Sequence, residues 1–171
     1  MKPLFGATIL SWIPPCWTAE SGLYAIQQTA SAGFDLLEIL LPPSMEFDAP
    51  EVKKQLKQYG LKGVCSLNLP AWAHIPTHPE EAKKLIKNAL DKAAEMDSDY
   101  LGGVLHSAIG VFSGKPRTTD EENTLCDVWA EAAEYASHLG ITIGVEPINR
   151  YESYVCTCAD EVLRFIQRIG A

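Results

Sequence analysis

Positive charge is scarce in this chain of 171 residues: 14 Lys and Arg stand against 22 Asp and Glu, for a net charge of −8. A field of that sign repels phosphate backbones and anionic lipid, so nucleic acid and membrane surfaces are excluded as partners. Long hydrophobic runs are also missing. No stretch approaches the ~18 to 20 uninterrupted apolar residues of a membrane helix. The five cysteines are odd in number and include no Cys-x-x-Cys pair, which speaks against a disulfide frame or a zinc knuckle and for reduced thiols in a cytoplasmic protein. The apolar opening from Pro3 to Trp17 is broken by Pro14 and Pro15, and no small-residue cleavage pattern follows, so it reads as a strand and its loop rather than a signal peptide. Nor does a glycine-rich phosphate loop come after that strand. Ser11-Trp12-Ile13-Pro14-Pro15-Cys16-Trp17 stands there instead and offers little to a nucleotide or flavin phosphate.

What is present is a core-forming composition, 47% hydrophobic and 21% charged, suited to one globular domain over residues 1–171. One phrase recurs along it: a helical pattern, a glycine or acidic turn, then a short run of Ile, Leu and Val. The strand candidates are Leu4 to Leu10, Phe34 to Leu41, Leu61 to Leu67, Tyr100 to Leu105 and Ile141 to Glu146. Roughly 30 to 40 residues separate successive starts, enough for a crossover helix each time, so the sheet is expected to be parallel. Asp48 with Glu51, Thr77 with Glu80, and Thr119 with Glu122 have the spacing of helix caps, and Gly33, Gly60 and Gly140 fall where left-handed C-terminal caps are wanted.

Two folds accept five parallel βα units. A flavodoxin-like, doubly wound sheet suits the length, whereas a complete (β/α)₈ barrel needs about 250 residues. The last strand candidate argues for the barrel. Thr142, Gly144 and Glu146 share one face, and a sheet covered by helices on both sides would be apolar on both. The expectation is therefore a TIM-barrel-type chain reduced to about five βα units, with the doubly wound sheet as the alternative.

The segment richest in chemistry is Gly144-Val145-Glu146-Pro147-Ile148-Asn149-Arg150-Tyr151-Glu152. A carboxylate ending a barrel strand points into the mouth where barrel catalysis occurs, and Glu146 could offer a hard oxygen to a divalent ion, with Glu152 reaching a hydroxyl beside it. The plainer alternative is a salt bridge from Glu146 to Arg150. Elsewhere, His74 and His78 are separated by Pro76, and Pro79 follows, so they read as loop and cap rather than a metal pair. Cys156 and Cys158 read as free thiols near a helix start, His138 as a favourable charge at a helix end, and Lys83, Lys84 and Lys87 as a solvated face.

The run Val145 to Glu152 resembles the signature of ketose 3-epimerases of the tagatose and psicose type, within the xylose-isomerase-like superfamily. Gly33 to Ile39 and Gly102 to Ser107 are similar to further family segments in the same order. The resemblance covers the first five of the family's eight βα units. It implies epimerisation of a ketose at C3 through an enediolate, with Glu146 as both metal ligand and proton-exchanging carboxylate and Glu152 as a contact to the substrate oxygens. It places Trp12 or Trp17 and His106 on the sugar pocket, and Cys65 and Ser66, at the end of the third strand, read as pocket wall. It further implies a divalent cation (Mn, Mg or Co) whose remaining ligands stand on family strands without a counterpart here, and a sugar as the small-molecule partner. Unpaired edges on the first and fifth strands lead us to expect a homo-oligomer. A non-catalytic binding module of the same barrel family stands as the alternative function. The abasic-site endonucleases that share the barrel are disfavoured by the net charge.

Overall fold

A computed structural model of the chain describes residues 3–171. Its sheet contains five parallel strands, β1 (Gly6–Thr8), β2 (Leu36–Leu40), β3 (Lys62–Ser66), β4 (Tyr100–Gly102) and β5 (Thr142–Ile143), hydrogen-bonded in chain order. That order sets the doubly wound alternative aside, because such a sheet must reverse its strand order at a switch point. Steps of one strand in one direction, with crossovers of one hand, put every helix on the same side of the sheet. These helices are α1 (Ala19–Ser31), α2 (Ala49–Gln58), α3 (Pro79–Glu95), α4 (Thr119–Leu139) and α5 (Ala159–Ile169).

The strand register sorts residues between the two faces. Leu36↔Lys62, Glu38↔Val64, Leu40↔Ser66 and Ser66↔Gly102 lie on one face, and Leu37↔Gly63, Ile39↔Cys65 and Cys65↔Leu101 on the other. The second set packs beneath the helices with Ile26, Val52, Leu56, Ile86 and Leu90 in a continuous apolar core. The first set faces the side that a closed barrel would enclose.

The strands are shorter than the sequence candidates because ladder pairing stops where backbones part. Gly103 adopts φ 113°, and a Cβ there would come within 2.3 Å of the Leu67 carbonyl oxygen. Only glycine lets the chain leave β4 so close to the end of β3. The β4 to β5 hydrogen bonds nevertheless continue beyond the ladder, from the Gly144 N–H to the Leu101 carbonyl and from the Glu146 N–H to the Gly103 carbonyl, both at 2.9 Å. Gly144 has its own reason: an added Cβ would strike the Tyr100 hydroxyl, which lies across the inner face.

Helix ends follow local chemistry. Asp48 accepts the Glu51 N–H and caps α2 as expected, and Gly33, Gly60 and Gly140 all have positive φ. The box at the start of α4 is one residue earlier than the sequence suggested, formed by Thr118 and Glu121, because Glu122 pairs with Arg117. The expected Thr77 and Glu80 box does not form. His78 is the N-cap, with Pro79 in the first turn, and the Thr77 hydroxyl bonds the His78 Nδ1 at 2.7 Å. Nor are Lys83 and Lys87 merely solvated: Lys83 bridges Glu80 on its own helix and Glu131 on α4, and Lys87 sits 4.9 Å from the Tyr135 ring centroid. They fasten α3 to α4.

Candidate active site

A polar cavity of about 220 Å³ opens at the C-terminal ends of the strands. Thr8 from β1, Glu38 from β2, Ser66 from β3, Asn68 just beyond it, and Glu146 and Glu152 after β5 all border it. The Ser66 hydroxyl is buried, 5% exposed, and is the one such side-chain oxygen among the described residues with no hydrogen-bond partner in the protein. A buried hydroxyl left unpaired costs about 1–3 kcal/mol, so its place on the cavity wall suits a ligand that carries hydroxyls. A larger hollow of about 440 Å³ lies on the other side of β5, between α4 and α5, walled by Trp129, Ile143, Val145 and Ile166 without an ionisable side chain. It offers no chemistry.

Glu146 and Glu152 therefore meet on one cavity, as their spacing suggested. Glu146 is exposed to the mouth and makes no salt bridge with Arg150, which removes the plainer alternative. Its N–H is held by the Gly103 carbonyl and its own carbonyl accepts from the His106 Nε2 at 3.1 Å. Glu152 is anchored by the Asn149 side-chain amide, and its carbonyl accepts the Gly110 N–H at 2.8 Å. The segment after it is clamped by Arg117, which donates to the Val155 carbonyl, pairs with Glu122 and Glu161, and lies 5.1 Å from the Phe165 ring centroid.

The remaining sequence candidates stand elsewhere. Cys65 has no exposed surface and packs on the helix side of the sheet, where burial pushes its thiol up to about 12. Its neighbour Ser66 borders the cavity instead, as strand alternation requires. Trp12 is half-buried over α1 and donates its Nε1–H to the Thr29 Oγ1 at 2.9 Å. Trp17 packs edge-on against Phe47, ring centroids 5.3 Å apart, with Gly22 beneath it. It borders a neighbouring cleft that shares Leu40 and Asn68 with the mouth. His106 is fully enclosed, so its ring reaches the backbone of Glu146 rather than the cavity; burial pushes the imidazole down to about 4 despite the bond to Glu146. His74 is likewise buried and accepts the Ala108 N–H on its Nδ1 at 3.1 Å, a loop role that fits its sequence reading.

Glu38 went unassigned in the sequence. The signal was a lone charge in the apolar run Leu36-Leu37-Glu38-Ile39-Leu40, a position that a parallel strand covered on both faces would fill with an apolar residue. Among the described residues no three His, Cys, Asp or Glu side chains gather closely enough to hold a metal ion. No described helix is long and apolar enough to cross a membrane.

The chain is 30% identical over 162 residues to a ketose 3-epimerase of Arthrobacter globiformis and 28% identical over 170 residues to an L-ribulose 3-epimerase of Methylomonas sp.. The matches cover 90% and 97% of this chain but only 56% and 59% of those relatives, so it spans little more than half their length. The crystal structure of a Methylomonas D-allulose 3-epimerase in complex with D-allulose superposes with a TM-score of 0.89 at 28% identity, covering 98% of this chain and 60% of that one. Residues 26–171 match the model of one family, and this chain of five sequential βα units accordingly belongs to the xylose isomerase-like TIM barrel family.

Proposed function

We propose that this chain carries one half of the catalytic machinery of a ketose 3-epimerase, with Glu146 as the carboxylate that exchanges the C3 proton. The observation that supports it is the convergence of Glu146 and Glu152 on one polar cavity at the C-terminal strand ends, in a chain whose relatives are named ketose 3-epimerases. A hydrogen next to a ketone is a weak acid, and a carboxylate within hydrogen-bond reach can take it as the carbonyl oxygen gains charge. The enediolate that results is flat at C3. Return of the proton from the opposite side inverts that carbon, so a second acid must stand across the barrel from Glu146. Glu152, held by Asn149, accepts a hydrogen bond from a substrate hydroxyl close to the carbonyl.

The substrate class is a free ketose. Three carboxylates border the mouth and no Lys or Arg does, which repels a phosphorylated sugar and suits uncharged hydroxyls. A divalent ion of the Mn, Mg or Co kind would supply polarisation of the carbonyl oxygens. The described residues do not by themselves form its site, so Glu146 would be one hard oxygen ligand among others.

The test is deuterium exchange at C3 of fructose, psicose, tagatose or ribulose in heavy water. Glu146→Gln should slow exchange by about a thousandfold, equivalent to roughly 4 kcal/mol of barrier. Exchange near the native rate in that variant would overturn the assignment.

A further inference from the structure

We propose that His106 is a positioning residue for Glu146, holding the strand end that carries this carboxylate through a directed chain of buried hydrogen bonds. The proposal rests on the reading of Glu146 given above. The chain runs from the Val155 N–H to the Ser153 Oγ at 3.0 Å, between the Ser153 and Ser107 hydroxyls at 2.8 Å, between the Ser107 hydroxyl and the His106 Nδ1 at 2.9 Å, and from His106 Nε2 to the Glu146 carbonyl at 3.1 Å. The carbonyl end fixes its direction. A carbonyl oxygen can only accept, so the one hydrogen of a neutral His106 ring stands on Nε2, the bare Nδ1 must accept from Ser107, and Ser107, its hydrogen spent, must accept from Ser153. Ser153 donates to Ser107, Ser107 donates to Nδ1, and the ring carries its hydrogen on Nε2. The opposite tautomer would set a bare Nε2 against a carbonyl oxygen and leave the Ser153 hydrogen without an acceptor. His106, Ser107 and Ser153 have no exposed surface, so water cannot repair either fault.

The consequence falls on Glu146 because its backbone has little else to hold it. The β5 ladder ends at Ile143, and Pro147, which follows Glu146, has no N–H to give. Glu146 is gripped on both sides by the segment after β4, its N–H by the Gly103 carbonyl and its C=O by His106. Those two bonds hold the two peptide planes that flank the Glu146 Cα and hence the direction in which the side chain leaves the backbone. The far end of the chain, Ser153, directly follows Glu152, so one run of bonds ties both carboxylate-bearing segments to the loop after β4.

Two substitutions separate the donor from the acceptor side of the ring. His106→Gln can still present an N–H to the Glu146 carbonyl, whereas His106→Asn reaches only as far as Ser107. Side-chain nitrogen NMR of the unsubstituted chain should show Nε2–H and a bare Nδ1. The Glu146 carbonyl carbon resonance should move in His106→Asn and stay within the native range in His106→Gln. With C3 deuterium exchange of a ketose as the readout, His106→Asn should lower the maximal exchange rate tenfold or more with the half-saturating ketose concentration changed less than twofold, and His106→Gln should remain within threefold of native. An Nδ1–H tautomer, an unmoved Glu146 carbonyl in a folded His106→Asn, or equal losses in both variants that follow their melting temperatures would each overturn the proposal. Native exchange in Glu146→Gln would instead remove the reading of Glu146. The ring tautomer and carbonyl shift would still decide the hydrogen-bond chain.

Discussion

On the outer face of the sheet Leu37, Ile39, Cys65 and Leu101 have no exposed surface and lie sealed beneath helices. On the inner face their immediate neighbours Glu38, Leu40 and Ser66 border an open mouth, and the 37%-exposed Tyr100 lies across Gly144. One backbone thus builds two surfaces of opposite character, because alternate strand residues point to opposite sides. Stability is concentrated on the outer face, where apolar area is removed from water. Chemistry is concentrated on the inner one, where carboxylates and an unpaired hydroxyl converge. The lesson is that residues one apart in sequence meet different surroundings: Cys65 is packed under helices, and Ser66 borders the cavity with its hydroxyl unpaired.

Assembly is where this contrast should be most visible. Among the described residues no further strand pairs with the sheet edges β1 and β5, and the apolar hollow beside β5 continues that edge. Unpaired N–H and C=O groups next to apolar surface favour association, so sedimentation velocity over a concentration series should show the mass at least doubling. A monomer at high micromolar concentration would mean that other parts of the chain protect the edges.

The outer face can be broken directly. Ile39→Ala removes a fully buried side chain from the core and should lower unfolding stability by about 2–5 kcal/mol, read from chemical denaturation. Loss of less than about 1 kcal/mol would show that this face is not the main store of stability.

Acid should attack the join between the two surfaces. The folded-state His106 titrates at about 4, below the ordinary 6.5, because burial disfavours its charged form. Between those values the unfolded chain binds a proton that the folded one does not, so stability is retained above pH 6.5 and falls as the pH drops towards 4. The loss from this one group should approach roughly 3 kcal/mol. His74, also lowered by burial, adds to it in the same direction. Below the usual carboxylate range a second decline follows. There burial opposes ionisation of Glu121 and Glu161, yet bonds from Thr118 and Tyr154 to the first, and from Thr157 and Arg117 to the second, hold both carboxyls low. Denaturation midpoints measured at pH 7, 5.5 and 4 check the first window, and His106→Gln should flatten it.

The smallest change belongs to the inner face. Glu38→Gln should leave stability within about 0.5 kcal/mol of native, since the side chain makes no ion pair with a described residue and is not part of the apolar core. A melting temperature that fell as far as for Ile39→Ala would erase the distinction between the faces.

Much of this was legible in the sequence, and the exceptions have physical causes. The five βα units, the Asp48 cap and the glycine C-caps follow from hydrophobic period and local backbone chemistry, which act over a few residues. Glu146 and Glu152 were readable because a carboxylate at a strand end and another six residues on carry their own signature. The face taken by each residue of the third strand was not. A shift of one position exchanges Cys65 for Ser66, and only the register with β2 and β4 settles it. The cap of α4 was misplaced by one residue for a similar reason: Thr118 and Thr119 both have the right spacing, and the pairing of Arg117 with Glu122 chooses between them.

Local sequence, then, determined by itself that the chain would form parallel βα units around an apolar core and carry a carboxylate just beyond its fifth strand, because propensity, periodicity and turn chemistry are short-range. The tertiary structure alone decided that the strands would stand in chain order, that Glu38 would join Glu146 and Glu152 at one mouth, and that His106 would turn inward to the Glu146 carbonyl. Each of those outcomes joins residues tens of positions apart, and it is fixed by the packing and hydrogen-bond partners that folding brings together.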